Sequence, residues 1–215
     1  MPIETIEVTC PAMEKCRAYY ARPNSNNERD ELNGLTEKAR AGNGIARREV
    51  AEALADLGEP AVELLITLLK DPADAVRGAA ATALCGIPDV RAIGPLIETL
   101  HDWDHHICTF ASDALAAIGE PAVEALLAQL GEPGWKVRCA AARALGHIGD
   151  KRAVAPLIAA LHDDHSMTRM TAAGALGRIG SVRALTPLMA ILRDGSPSVR
   201  REAAGALALI GGPAL

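Results

Sequence analysis

Aromatic residues are scarce in this chain of 215 residues: two tryptophans, two tyrosines and one phenylalanine, 2% in all, against a hydrophobic share of 49%. The core must therefore be built from alanine and leucine, as in closely packed helix pairs. Basic runs are also missing, and the formal charge is −5. Nucleic acid is thereby disfavoured as a partner, because binding it requires phosphate neutralisation. No stretch reaches the ~18 consecutive apolar residues of a membrane span. Residues 1–20 lack the apolar centre of a signal peptide. The five cysteines are odd in number and scattered, which fits a reducing, cytoplasmic setting. There is no G-x-S-x-G, no P-loop and no dinucleotide fingerprint. No cofactor and no reaction is specified.

What the chain does have is an internal repeat. The thirteen-residue pattern V-R-x-x-A-A-x-A-L-x-x-I-G begins at Ala46, Val76, Ile107, Val137, Thr168 and Val199, in steps of 30, 31, 30, 31 and 31 residues. Positions 1, 5, 8, 9 and 12 are apolar, the stripe of a helix rather than the alternation of a strand. Alanine fills position 8 in every copy, which lets a neighbouring helix approach closely. Glycine at position 13, replaced once by Pro88, suits the left-handed residue that ends a helix. From the second copy on, an apolar segment precedes each pattern: LLITLL, PLIETL, ALLAQL, PLIAAL and PLMAIL. Each is followed by an acid: Asp71, Asp102, Glu132, Asp163 and Asp194. The unit is helix A, an acidic turn, then helix B. One such hairpin cannot bury both its apolar faces, whereas stacked hairpins can. The expected fold is all-α, a right-handed α-solenoid (α-α superhelix) of about six hairpins.

The form GDKRAVAPLIAALHDD…TRMTAAGALGRIG resembles the short HEAT-like repeat, the type named after phycobilisome lyase subunits. The resemblance covers roughly residues 28 to 211. The motif specifies fold rather than function; the first reading is a non-catalytic scaffold that binds a partner protein on the concave helix-B face, and the resemblance implies as an alternative a subunit of a phycobilin lyase or other chromophore-handling chaperone. A third alternative is an accessory subunit of a larger metabolic enzyme complex. No bilin-handling residue is placed by motif. A HEAT-repeat family of di-iron hydroxylases carries His-Glu pairs early in helix B, and no His-Glu pair occurs in this sequence. HEAT-like DNA glycosylases are basic along the groove, whereas this chain is acidic.

The expected units run about 28–58, 59–88, 89–119, 120–149, 150–180 and 181–211. Residues 1–27 read as an N-terminal arm or cap, with a short helix over Met13 to Ala21, Tyr19 and Tyr20 exposed on a docking arm in one reading, and Cys10 and Cys16 too few for a zinc site. Pro95, Pro156 and Pro187 lie inside helix A and are expected to kink it. Residues 212–215 resemble the start of a further unit, so either the native chain runs on beyond residue 215 or the uncapped C-terminal end contacts a second copy or a partner complex.

The second position of the pattern reads Arg47, Arg77, Cys108, Arg138, Arg169 and Arg200. With the acids Asp71, Asp102, Glu132, Asp163 and Asp194, these arginines read as a structural ladder of charge-assisted hydrogen bonds, interrupted at Cys108. Positions 3, 7 and 10 face away from the core stripe. In the family that the repeat resembles, they line the concave helix-B surface. There the candidate partner-binding residues are Thr109, Phe110, Asp113, Cys139, Arg143, His147, Met170 and Arg178. Their small neighbours Gly146, Gly174 and Gly177 would be either groove floor or the result of crowding between helices. Trp103 and Trp135 occupy neighbouring turns and offer a second interaction edge. Five histidines fall in two turns, at His101, His105, His106, His162 and His165, with Asp102, Asp104, Asp163 and Asp164 beside them. Turn chemistry explains them better than a shared metal, because the two turns lie two units apart.

Overall fold

The computed structural model describes residues 26–211, with side chains from residue 29 onward. The expected arm or cap therefore lies outside the described residues, apart from Asn26 and Asn27, which open the first helix; the tail 212–215 lies outside them altogether. The chain is all-α and forms the stacked hairpins of an α-solenoid. It divides into two compact units, one ending at Asp89 and the other beginning at Val90.

In the first unit, α1 (Asn26–Ala41) and α2 (Gly44–Leu54) form one hairpin, and α3 (Val62–Leu68) and α4 (Asp74–Gly86) the next. The helix-B elements α2 and α4 pack on each other. Val50, Ala51, Leu54, Val62, Leu65, Val76, Ala80 and Leu84 fill the space between the helices. These are the apolar positions of the repeat, brought to one stripe by the helical period.

The second unit holds four hairpins: α5 (Ile93–Thr99) with α6 (His105–Ile118), α7 (Val123–Gln129) with α8 (Trp135–Ile148), α9 (Val154–Ala160) with α10 (Ser166–Ile179), and α11 (Leu185–Ala190) with α12 (Pro197–Gly211). The B helices α6, α8, α10 and α12 stack in order. Leu96, Leu100, Leu115, Leu126, Leu145, Leu157, Leu161, Leu176 and Leu188 are fully buried. At about 2 kcal/mol for each leucine removed from water, this leucine row is the main source of cohesion.

Helix A is shorter than its apolar run, because it opens on a 3-10 turn. A 3-10 turn precedes the α-helical part at Val90–Ala92, Lys151–Ala153 and Val182–Ala184, where Pro95, Pro156 and Pro187 follow. The same turn stands at Glu59–Ala61 and Glu120–Ala122, where Pro60 and Pro121 lie inside the turn itself. The three prolines fall in the first turn of α5, α9 and α11, where backbone N–H groups lack an intrahelical acceptor anyway.

Glycine at position 13 ends helix B in two ways. Gly149 and Gly180 take the left-handed conformation, with φ of 77° and 70°. Gly58 and Gly119 instead pair φ of 69° and 81° with ψ of −138°, a region open only to glycine, where the chain enters Glu-Pro.

Candidate functional site

The turns between helices A and B are organised by the arginine at position 2. In the second unit, Arg138 donates Nη1 to the carbonyls of Glu132 and Pro133 in its own turn, each at 2.8 Å. Its Nε and Nη2 donate to Asp163 of the next turn at 2.6 and 2.7 Å, and Nη2 reaches Asp164 at 2.9 Å. Arg169 repeats this, with its own turn through Asp163 and Asp164 carbonyls and with Asp194 at 2.7 and 3.0 Å. Within the first unit, Arg47 bonds the Gly42 carbonyl and forks onto Asp71. Arg77 holds the Asp71 and Pro72 carbonyls. The planar guanidinium is suited to this double duty, since one edge serves the turn and the other a carboxylate.

Each acid also shapes its turn. Oδ1 of Asp71, Asp102, Asp163 and Asp194 accepts the N–H two residues on, at 2.8 to 2.9 Å. Burial alone would raise the Asp163 carboxyl. The bonds from Arg138 and from the His165 N–H outweigh it and bring the pKa down to about 2. Asp71 is lowered against the same burial by Arg47 and the Ala73 N–H, and Asp194 is lowered chiefly by Arg169.

At Cys108 the pattern is rebuilt from other side chains. The buried thiol donates to the Asp102 carbonyl at 3.1 Å, the place an arginine Nη1 would take. Lys136 Nζ reaches the Trp103 carbonyl at 3.4 Å. His101 Nε2 lies 3.8 Å from Glu132, whose carboxylate no arginine meets among the described residues. Burial first, then Asp102, pushes the Cys108 thiol up.

The same row of turns carries the exposed aromatics. Trp103 is 71% exposed. Trp135, the first residue of α8, stacks on His165 of the following turn, with ring centroids 4.0 Å apart and planes 7° off parallel. His165 caps α10, its Nδ1 accepting the Met167 N–H at 3.3 Å. Pro133, Trp135, Arg138, Asp164 and His165 line a shallow open hollow of about 140 Å³. His105 and His106 are ring neighbours at 5.3 Å. Among the described residues no three His, Cys, Asp or Glu side chains gather as a metal site would require.

The helix-B face is different. Thr109 back-bonds to the His105 carbonyl, and Phe110 is 37% exposed. Asp113 of α6 takes Arg143 of α8 at 2.8 and 3.0 Å. Cys139 is half-buried, 3.6 Å from the Thr168 hydroxyl, and burial raises its thiol. Desolvation, then Arg178 and Arg143, hold His147 below the ordinary imidazole value. Met170 is half-buried and Arg178 exposed. Gly146, Gly174 and Gly177, expected on the outward side, are buried. A Cβ on Gly146 would lie 2.7 Å from Ala175 Cα, and one on Gly177 2.8 Å from Ala206 Cα; one on Gly174 would strike the Glu202 carboxylate. These glycines are where successive B helices touch, so crowding explains them and they form no groove floor.

Sequence reasoning did not find the Trp135–His165 stack, because nothing in one repeat says which way a side chain leans toward the next. It also passed over the Asp113–Arg143 pair, whose signal was there: opposite charges at position 7 of successive copies, 30 residues apart.

The profile described as HEAT repeats matches residues 32–116, 62–131 and 123–210. This chain belongs to the HEAT-repeat family. Comparison with curated proteins gives no match. Among solved structures, the HEAT chain is similar to an engineered protein at 24% identity and TM-score 0.53, covering 84% of this chain and 98% of that one. It is similar to a designed armadillo repeat protein in complex with the peptide (KR)4, at 20% identity and TM-score 0.50, covering 94% and 100%. A chain of the structure of Kap95p binding to RanGDP matches at 16% identity and TM-score 0.68, over 91% of this HEAT chain and 31% of that chain. At these identities the likeness is one of fold.

Proposed function

We propose that this HEAT-repeat chain is a non-catalytic scaffold that binds another protein along the row of A–B turns in its second unit. The observation that carries this reading is the exposed Trp103 on the same edge as the Trp135–His165 stack and its hollow. A tryptophan left 71% in water costs solvation that burial against a partner regains. Such aromatic anchors beside an arginine are the residues that dominate binding energy in interfaces. The repeat fold supports it too: the designed armadillo protein of similar fold is in complex with a peptide. The thiols of Cys108 and Cys139 suit a reducing cytoplasmic location.

The helix-B face is a second reading, favoured by Phe110 and by the charges of Asp113, Arg143, His147 and Arg178 around it. Two double variants separate the two. Trp103→Ala with Trp135→Ala should reduce partner capture at least tenfold, with helicity unchanged by circular dichroism. Phe110→Ala with Met170→Ala should leave capture intact. The opposite result moves the interface to the helix-B face.

A further inference from the structure

Arg138 lines the hollow beside Trp135, yet it has no donor left for a partner. A guanidinium carries five N–H groups. Here they go to the Glu132 and Pro133 carbonyls, twice to Asp163 and once to Asp164. Among the described residues no other arginine or lysine lines the hollow. Asp164 is the opposite case. It accepts from Arg138 through Oδ1, and its side chain is 90% exposed. The hollow therefore offers an indole, a proline ring and an open carboxylate.

The surrounding turns carry the same sign. Across residues 101–106, 131–138 and 162–166, the acids Asp102, Asp104, Glu132, Asp163 and Asp164 stand against Lys136 and Arg138 alone. Lys136 is turned to the Trp103 carbonyl. Trp103, the more exposed indole, sits between Asp102 and Asp104 in the chain. Both indoles of this edge are thus set among carboxylates, on a chain whose net charge is −5.

We infer that the turn edge of the second unit takes a basic segment of its partner protein, with an arginine side chain of that segment seated in the hollow between Trp135 and Asp164. This rests on the reading of that edge as the interaction surface and specifies the chemistry it recognises. Arginine fits each wall. Its flat cation stacks on an aromatic ring. Its methylenes cover the Pro133 ring, as long basic side chains do on apolar surface. Its N–H fork meets the Asp164 carboxylate. His165 already covers one face of the Trp135 indole, so the incoming side chain uses the remaining 37% exposed surface. An acidic segment would meet carboxylates and an arginine whose donors are all engaged, which disfavours it. A proline-rich or purely apolar segment would fill the hollow but give Asp164 no donor in exchange for water.

The test is fluorescence anisotropy with the full chain and three labelled probes: hexa-arginine, hexa-proline and hexa-glutamate. Saturable binding of hexa-arginine is expected, falling about tenfold with Trp135→Ala and about threefold with Asp164→Asn. Circular dichroism should show unchanged helicity in both variants. Asp56→Asn removes the same charge from an exposed acid of the first unit and should leave binding unchanged. Equal weakening by Asp56→Asn and Asp164→Asn would make the binding a matter of net charge and overturn the inference. No binding of hexa-arginine, or tighter binding of hexa-proline or hexa-glutamate, overturns it as well. The natural partner separates this inference from the reading beneath it. Capture lost in Trp103→Ala/Trp135→Ala but indifferent to Asp164→Asn and to competing hexa-arginine keeps the edge and overturns the basic segment. Capture that survives both tryptophan replacements overturns the edge, and the inference with it.

Discussion

Arg138 and Asp163, 25 residues apart, are joined by both teeth of the guanidinium fork, at 2.6 and 2.7 Å, and both side chains are about nine-tenths out of solvent. One arginine thereby ties its own turn to the next. Replacing Arg138 with alanine leaves a buried carboxylate and two turn carbonyls without their donor. The expected loss is about 3 kcal/mol, or a fall in Tm of roughly 6–12 °C. Arg138→Lys keeps the charge but not the fork, and should lose about half as much. Thermal melts of the three proteins check this; equal Tm values would mean that the ladder contributes nothing.

The same bond sets an acid limit. Asp163 titrates at about 2 in the folded chain, against about 3.9 when unfolded. A carboxyl depressed by folding stabilises fully above the unfolded value and loses that contribution as pH falls through the folded one. Asp71 and Asp194 shift in the same direction. Stability should therefore drop between about pH 4 and pH 2. Urea midpoints across this range should fall more steeply for the parent than for Asp163→Asn. Parallel slopes would remove Asp163 as the cause.

Glycine at a helix contact and glycine on an open helix should respond oppositely to alanine. Gly177→Ala gains about 1 kcal/mol of helix propensity, but its Cβ would lie 2.8 Å from Ala206 Cα. A net loss of about 1–2 kcal/mol is expected as α10 and α12 are forced apart. At Gly34 nothing stands within 4 Å, and Gly34→Ala should stabilise by about 0.5–1 kcal/mol. Denaturant unfolding of both variants decides whether the small residues reflect packing or chance.

Cys108→Arg should be neutral or stabilising. The Asp102 carbonyl already accepts from the thiol, and Glu132 holds the repeat position of Asp163 and Asp194, the acids that Arg138 and Arg169 grip. A loss of several kcal/mol would show that the thiol's own packing matters more than the missing fork.

The sequence made the hairpins legible because alanine, leucine and glycine recur at fixed positions every 30 or 31 residues, and a helical stripe admits one orientation. The partners of Arg138 and Arg169 were also readable, since an arginine and an acid recurred together. The 3-10 turns opening helix A were not, because backbone rather than side-chain pattern decides them. For Gly146 and Gly177 the sequence left groove floor and crowding both open, because position 10 looks outward within one hairpin and is covered only when the next hairpin stacks. The stack of Trp135 on His165 depends on side-chain direction across two successive hairpins, which no single repeat encodes.

The most direct measurement is a native pull-down from the source organism with the parent chain and with Trp103→Ala/Trp135→Ala, read by quantitative mass spectrometry and by the visible spectrum of the eluate. The expected result is a colourless, stoichiometric protein partner held by the parent and reduced at least tenfold in the variant. A partner captured equally by both proteins, or a pigmented eluate, would contradict a protein-binding scaffold that works through the turn edge.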